Sequence, residues 1–132
     1  MILIFCSSTN SFGQNKIISG RIIDEHLNPL ADAVIQTLDS TYAARADKDG
    51  YYVLKVPEET KRIKAWAVGM ETETFNLSNN CEFNLILFDN IIAEFETKAE
   101  HQERYKNRKR ELPRLCKEAI NKGIIDKNKP CS

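Results

Sequence analysis

The sequence predicts a mainly β chain, in which seven short strands form an antiparallel β-sandwich over residues 15–88 and a basic helical extension follows over 89–132. Two observations predict it. Short runs of alternating or continuous apolar residues recur between turn signals from Asn15 to Phe88. After Asp89 the apolar residues are spaced three and four apart instead, and Lys and Arg accumulate.

The expected strands can be taken in order. Residues 16–23 alternate Ile17, Ser19, Arg21 and Ile23 against Ile18 and Ile22, and Asn28-Pro29 ends them, since Asn-Pro resists both helix and ladder. Residues 33–39 (Val34, Ile35, Leu38) and 42–46 form the second and third. In the turn Asp47-Lys48-Asp49-Gly50, an Asp side chain bonds the local backbone and Gly takes positive φ. Residues 51–56, 62–68, 71–77 and 81–88 complete the seven. Asn90 is the expected cap of a helix carrying Ile91, Ile92, Phe95 and Ala99 and running to Arg110. Pro113 separates it from a second helix around Leu115, Cys116, Ala119 and Ile120, with Gly123 at C′ and Ile124-Ile125 as an apolar anchor.

The 132 residues suit one domain, and 42% hydrophobic with 29% charged residues is an ordinary globular composition. Zero net charge conceals a division. Residues 1–97 carry 8 Lys+Arg against 14 Asp+Glu, whereas residues 98–132 carry 11 against 5. Such a tail either seeks an acidic partner or docks on its own acidic body; docking is the expectation. The stretch Arg104-Tyr105-Lys106-Asn107-Arg108-Lys109-Arg110 is read first as a solvated helix face with Glu100, Glu103 and Glu111 as partners. Arg108, Lys109 and Arg110 are kept as candidate binding residues for an envelope polymer, and nucleic acid is not expected as a partner.

Residues 1–14 contain no charge, open with Ile2-Leu3-Ile4-Phe5-Cys6, and place Ser11 and Gly13 two apart, as a signal peptidase requires. They are expected to be a leader, truncated because no basic residue precedes the apolar run, with the mature chain starting at Gln14 or Asn15. The alternative is an apolar strand of the core; lipid anchoring through Cys6 is disfavoured by the bulky Phe5 before it. The apolar run is too short to span a bilayer, and no transmembrane span is expected. An exported chain can form disulfides, and Cys116 with Cys131, both in the tail, is the expected pair, leaving Cys81 buried as a small hydrophobe.

Several segments resemble carboxypeptidase-regulatory-like domains. They are Ile18-Ser19-Gly20-Arg21-Ile22-Ile23-Asp24, Asn28-Pro29-Leu30-Ala31-Asp32-Ala33-Val34-Ile35, Ala46-Asp47-Lys48-Asp49-Gly50-Tyr51-Tyr52, Leu54-Lys55-Val56-Pro57 and Val68-Gly69-Met70-Glu71-Thr72. In the last, Met70 stands where the family usually has an aromatic residue. The resemblance covers about residues 16–88 and implies a transthyretin-like (prealbumin-like) β-sandwich. Such modules adjoin metallocarboxypeptidase catalytic domains and the N-termini of TonB-dependent outer-membrane receptors, and do no chemistry themselves. No catalytic residue is therefore carried over.

The residues themselves point the same way. His26 and His101 fit no zinc-protease spacing, and neither a nucleophile elbow nor a phosphate-cradling loop is present. Asp47-x-Asp49-Gly50 opens like a calcium loop but lacks the later ligands. A related hydrolase of 5-hydroxyisourate needs paired histidines and a terminal Tyr-Arg-Gly-Ser, whereas this chain ends Lys129-Pro130-Cys131-Ser132. Neither metal nor cofactor is expected. Asp39-Ser40-Thr41 fits a loose pattern for O-glycosylation of exported proteins. The expectation is a non-catalytic, exported module of the bacterial cell envelope, periplasmic or associated with the outer membrane, that binds a protein or polymer. A small-ligand or glycan binder using Tyr51, Tyr52 and Trp66 is the alternative.

Overall fold

The computed structural model of the chain describes residues 14–131, so the expected leader lies outside the described residues apart from Gln14. With 37% strand and 19% helix the protein is mainly β. Among the described residues, nine strands run β1 (Asn15–Asp24), β2 (Val34–Thr37), β3 (Ala43–Arg45), β4 (Tyr51–Pro57), β5 (Arg62–Trp66), β6 (Glu73–Asn76), β7 (Asn80–Glu82), β8 (Leu85–Leu87) and β9 (Lys129–Pro130). Helices α1 (Lys98–Lys109) and α2 (Leu112–Asn121) lie between β8 and β9. The first sheet has the order β4-β1-β7-β9, with β8 also paired to β1; the second is β3-β2-β5-β6.

The expectation of seven strands, all antiparallel, is corrected in two ways. The stretch 81–88 is two strands, and the tail adds β9. Both pieces of that stretch run parallel to β1, β7 through Ser19↔Glu82 and β8 through Ile22↔Leu85. The division falls where β1 passes Gly20. A Cβ on Gly20 would lie 2.0 Å from the carbonyl oxygen of Phe83, so the chain between β7 and β8 tucks against a bare backbone. Tyr52, paired with Gly20 across β4, donates its hydroxyl proton to that same carbonyl. The Arg21 N–H is received by the Asn84 side chain.

The two sheets face each other over one core, to which the first contributes Ile18, Ile22, Leu54, Val56, Leu85 and Leu87, and the second Ile35, Ile63 and Ala65. Alternation sends Ile23, Ile86 and Phe88 to the opposite face of the first sheet, where they meet Leu115, Ala119 and Ile125 in a second core. The apolar run Leu85-Ile86-Leu87-Phe88 is thus continuous because the sheet is covered on both faces there.

The first helix starts seven residues later than expected. Thr97 caps it, accepting from the Glu100 N–H while the Glu100 carboxylate accepts from the Thr97 N–H. Asn90 instead donates its side-chain amide to the Met70 carbonyl. Phe95 has φ of 66° and is 93% exposed, so the spacing of Ile91, Ile92 and Phe95 belongs to a linker. At the end of α2, Gly123 has φ of 73°, its N–H reaches Ile120 O, and the Ile124 N–H reaches Ala119 O. This Schellman closure turns Ile124 and Ile125 back onto the helix.

The expected Cys116–Cys131 bridge is also corrected. Cys131 joins Cys81, with 4.7 Å between their Cα atoms. Pairing of β7 with β9 brings the chain end beside Cys81, whereas Cys116 sits half-buried against the second core as a free thiol.

Two outcomes are expected. Cys81→Ser or Cys131→Ser removes a bridge across 50 residues and lowers unfolding free energy by about 4 kcal/mol, read by denaturant titration, whereas Cys116→Ser leaves the mass deficit of two hydrogens intact. Gly20→Ala drives Cβ into the Phe83 carbonyl and costs about 1–3 kcal/mol, the usual range for overpacking, measured the same way.

Candidate functional site

The acidic body and the basic tail meet each other. Arg108 on α1 lies 2.7 Å from Glu25 and 3.3 Å from Asp89, donates to the Asp89 carbonyl, and places its guanidinium over the Phe88 and Tyr105 rings. Lys109 reaches Glu73 at 2.8 Å, and the Tyr105 hydroxyl donates to the same carboxylate. Buried His101 has Glu71 at 2.8 Å on one ring nitrogen and Glu96 at 3.4 Å on the other. Arg104 clamps Glu96 with two nitrogens. The more exposed ion pairs, such as Lys109–Glu73, contribute about 0–1 kcal/mol each, whereas each large apolar side chain buried in the second core contributes roughly 1.5–3 kcal/mol. The apolar contact therefore holds the tail, and the charges fix its register.

This arrangement occupies much of what the sequence offers as chemistry. Glu25, His26 and Asp89 have ligand atoms within 4.8 Å of one another. The Arg108 guanidinium already stands beside both carboxylates, so a metal ion there would face a fixed positive charge. Asp47 accepts from the N–H groups of Asp49 and Tyr51, which accounts for the calcium-like run as a turn. Burial pushes the Cys116 thiol up, away from thiolate reactivity. At Asp39-Ser40-Thr41 the chain forms the exposed β2–β3 turn; the Thr41 N–H and the Thr37 hydroxyl hold the Asp39 carboxyl below its ordinary value.

The candidate aromatic platform does not assemble. Tyr52 is 2% exposed and belongs to the first core. Trp66 lies on β5 of the other sheet, with its indole N–H on Gln36. Tyr51 is exposed on the outer face of β4 beneath the Arg21 guanidinium, 4.7 Å from the ring centre. Of the basic candidates, Arg108 and Lys109 point into the docking contact and Arg110 is exposed.

Two free surfaces remain on the first sheet. One is the outer face beyond the helices, where Ile17 is 58%, Tyr51 51% and Val53 65% exposed. At its boundary with the tail lies a cleft of about 310 Å³, lined by residues 19–21, 51–53, Glu82, Asn84 and 123–126. Arg21 crosses this boundary, donating from Nε to Asp49 O at 2.7 Å and from Nη1 to Ile124 O at 2.9 Å.

The other free surface is the edge of β4. In register with the Ile22 N–H bond to Gly50 O and the Glu58 N–H bond to Gln14 O, the even-numbered residues of β4 bond to β1. The odd-numbered ones face outward. Asp47 satisfies both backbone groups of Tyr51, and the Thr60 N–H satisfies Pro57 O. Among the described residues no strand pairs with this side of β4, so Val53 and Lys55 present their N–H and C=O groups on an open edge. The sequence marks β4 as a strand but gives no sign that it is an edge, since that depends on which strands reach β1.

No protein-family model matches the chain, and no curated protein matches it. Among the described residues no helix is long and apolar enough to cross a membrane.

The Glu96 carboxyl, held by the Arg104 guanidinium and then by the Ala93 N–H, is lowered from 4.5 to about 2. A depressed carboxyl stabilises the fold fully above its unfolded value of 4.5, and that contribution disappears as pH falls toward about 2. A carboxyl-carbon NMR titration should place the Glu96 midpoint near about 2, and Arg104→Gln should return it toward 4.5.

Proposed function

We propose that the protein is a non-catalytic, exported interaction module of the bacterial cell envelope, and that it takes an extended segment of a partner protein as an added strand on β4. The observation that carries this reading is the open edge at Val53 and Lys55, beside the exposed apolar side chains of Val53, Ile17 and Tyr51. Strand addition draws affinity from main-chain hydrogen bonds and specificity from alternate side chains. An edge with free N–H and C=O groups next to apolar surface offers both. Every other outer strand is shorter: β3 has three residues, β6 four and β9 two.

The fold proposed here is the transthyretin-like sandwich of carboxypeptidase-regulatory-like domains, elaborated by a helical extension on one outer face. It is supported by the two facing sheets over a shared core and by the order of the resembling segments along β1, β2, β4 and the β5–β6 turn. The export reading is supported by the Cys81–Cys131 bridge, since structural disulfides persist in oxidising compartments. A non-catalytic role is supported by the engagement of Glu25, Glu71, Glu73, Asp89 and Glu96 in holding the tail.

Lys55→Pro tests this reading directly. Its N–H faces away from β1, so proline removes an edge donor without breaking the ladder. Affinity capture from an envelope extract of the host should retain a stoichiometric protein with the wild-type chain and lose it with Lys55→Pro, while the unfolding midpoint changes little. Equal retention of that partner by both chains would refute strand addition.

A further inference from the structure

We infer that the cleft between the first sheet and residues 123–126 is a binding site for a small zwitterion carrying an amine and a carboxylate on one carbon, the headgroup of an α-amino acid. This goes beyond strand addition and does not depend on it.

The inference starts from Arg21. Its guanidinium is fixed by the carbonyls of Asp49 and Ile124 and by the Tyr51 ring. Those partners hold it in place without neutralising it. Arg104, Arg108 and Arg114, by contrast, each have a carboxylate within 4 Å. A guanidinium held rigid in a cleft, with no carboxylate within 4 Å of it among the described residues, is suited to a carboxylate ligand.

A purely anionic ligand would not suit the cleft, because Glu82 and Asp126 also line it. Glu82 is opposite Ser19 in the β1–β7 pairing, and Arg21 is the next residue along that face. Strand spacing and rise put the Arg21 and Glu82 Cα atoms roughly 8 Å apart, a gap that two side chains and a bridging zwitterion can span. Lys129 approaches Glu82 at 3.5 Å, but from β9, on the far side of β7 from β1. Ser19 and Val53 also line the cleft. The cleft, of about 310 Å³, has room for an amino acid.

Three probes of one size separate the contributions: alanine, propionate (alanine without its amine) and ethylamine (alanine without its carboxylate). In titrations of the ¹⁵N-labelled full chain, alanine should shift the amides of Ser19, Gly20, Asn84 and residues 123–126 saturably. Propionate and ethylamine should each bind at least about tenfold more weakly. Glu82→Gln, which leaves the Arg21 contacts to the tail in place, should weaken alanine about tenfold and propionate little, and Lys55→Pro should leave alanine binding unchanged. Absence of a saturable shift with alanine, or propionate binding as well as alanine, would overturn the proposal. Either result leaves strand addition standing, because Lys55 is outside the cleft.

Discussion

Where β1 passes the Phe83 carbonyl, no side chain can stand, and the surrounding structure is organised about that contact. Gly20 lets the chain between β7 and β8 come within contact distance, which allows one ten-residue strand to serve two shorter partners in succession. Tyr52 crosses the same point from β4 and seals the carbonyl from inside the core. Asn84, immediately after the crossing, accepts from Arg21 N–H and donates to the Asp126 carbonyl. Sheet, core and tail are thereby joined within three residues of Gly20.

Much of this was legible in the sequence where it depended on neighbouring residues. Alternation in 16–23, 51–56 and 62–68 located strands, the last ending two residues early at Trp66, and Gly123 marked the end of α2 because its signal is a single residue with a special φ. The late start of α1 was written as well, in the capping pair Thr97 and Glu100. It was masked by Ile91, Ile92 and Phe95, whose helical spacing is an accident of an exposed linker. What depended on distant partners could not be read. Cys81 meets Cys131 because β9 lies beside β7, and no local pattern encodes that adjacency. Parallel pairing of β7 and β8 with β1 is equally non-local.

The candidate site follows the same division. Tyr51 and Tyr52 are adjacent in sequence and face opposite ways, one toward solvent and one into the core, as strand alternation requires. The basic residues of α1 were visible as a cluster; the carboxylates they contact come from four separate segments. Arg21 stood in the sequence only as one residue of the first strand segment, with nothing to mark a cleft. Its place at a cleft results from the tail folding back onto β1, which the apolar pair Ile124-Ile125 indicated only as an anchor.

The position of β1 also has a kinetic consequence. One side of the strand is satisfied early, by β4 some thirty residues on, but its other side waits for residues 82–87. Loop closure over that span must precede the contacts that reward it, so this side of β1 carries a larger chain-entropy cost than the β1–β4 pairing. Until then the second core has no floor, because Ile86 and Phe88 arrive with β8. The helical extension thus packs on a surface that is complete only once β8 has joined β1.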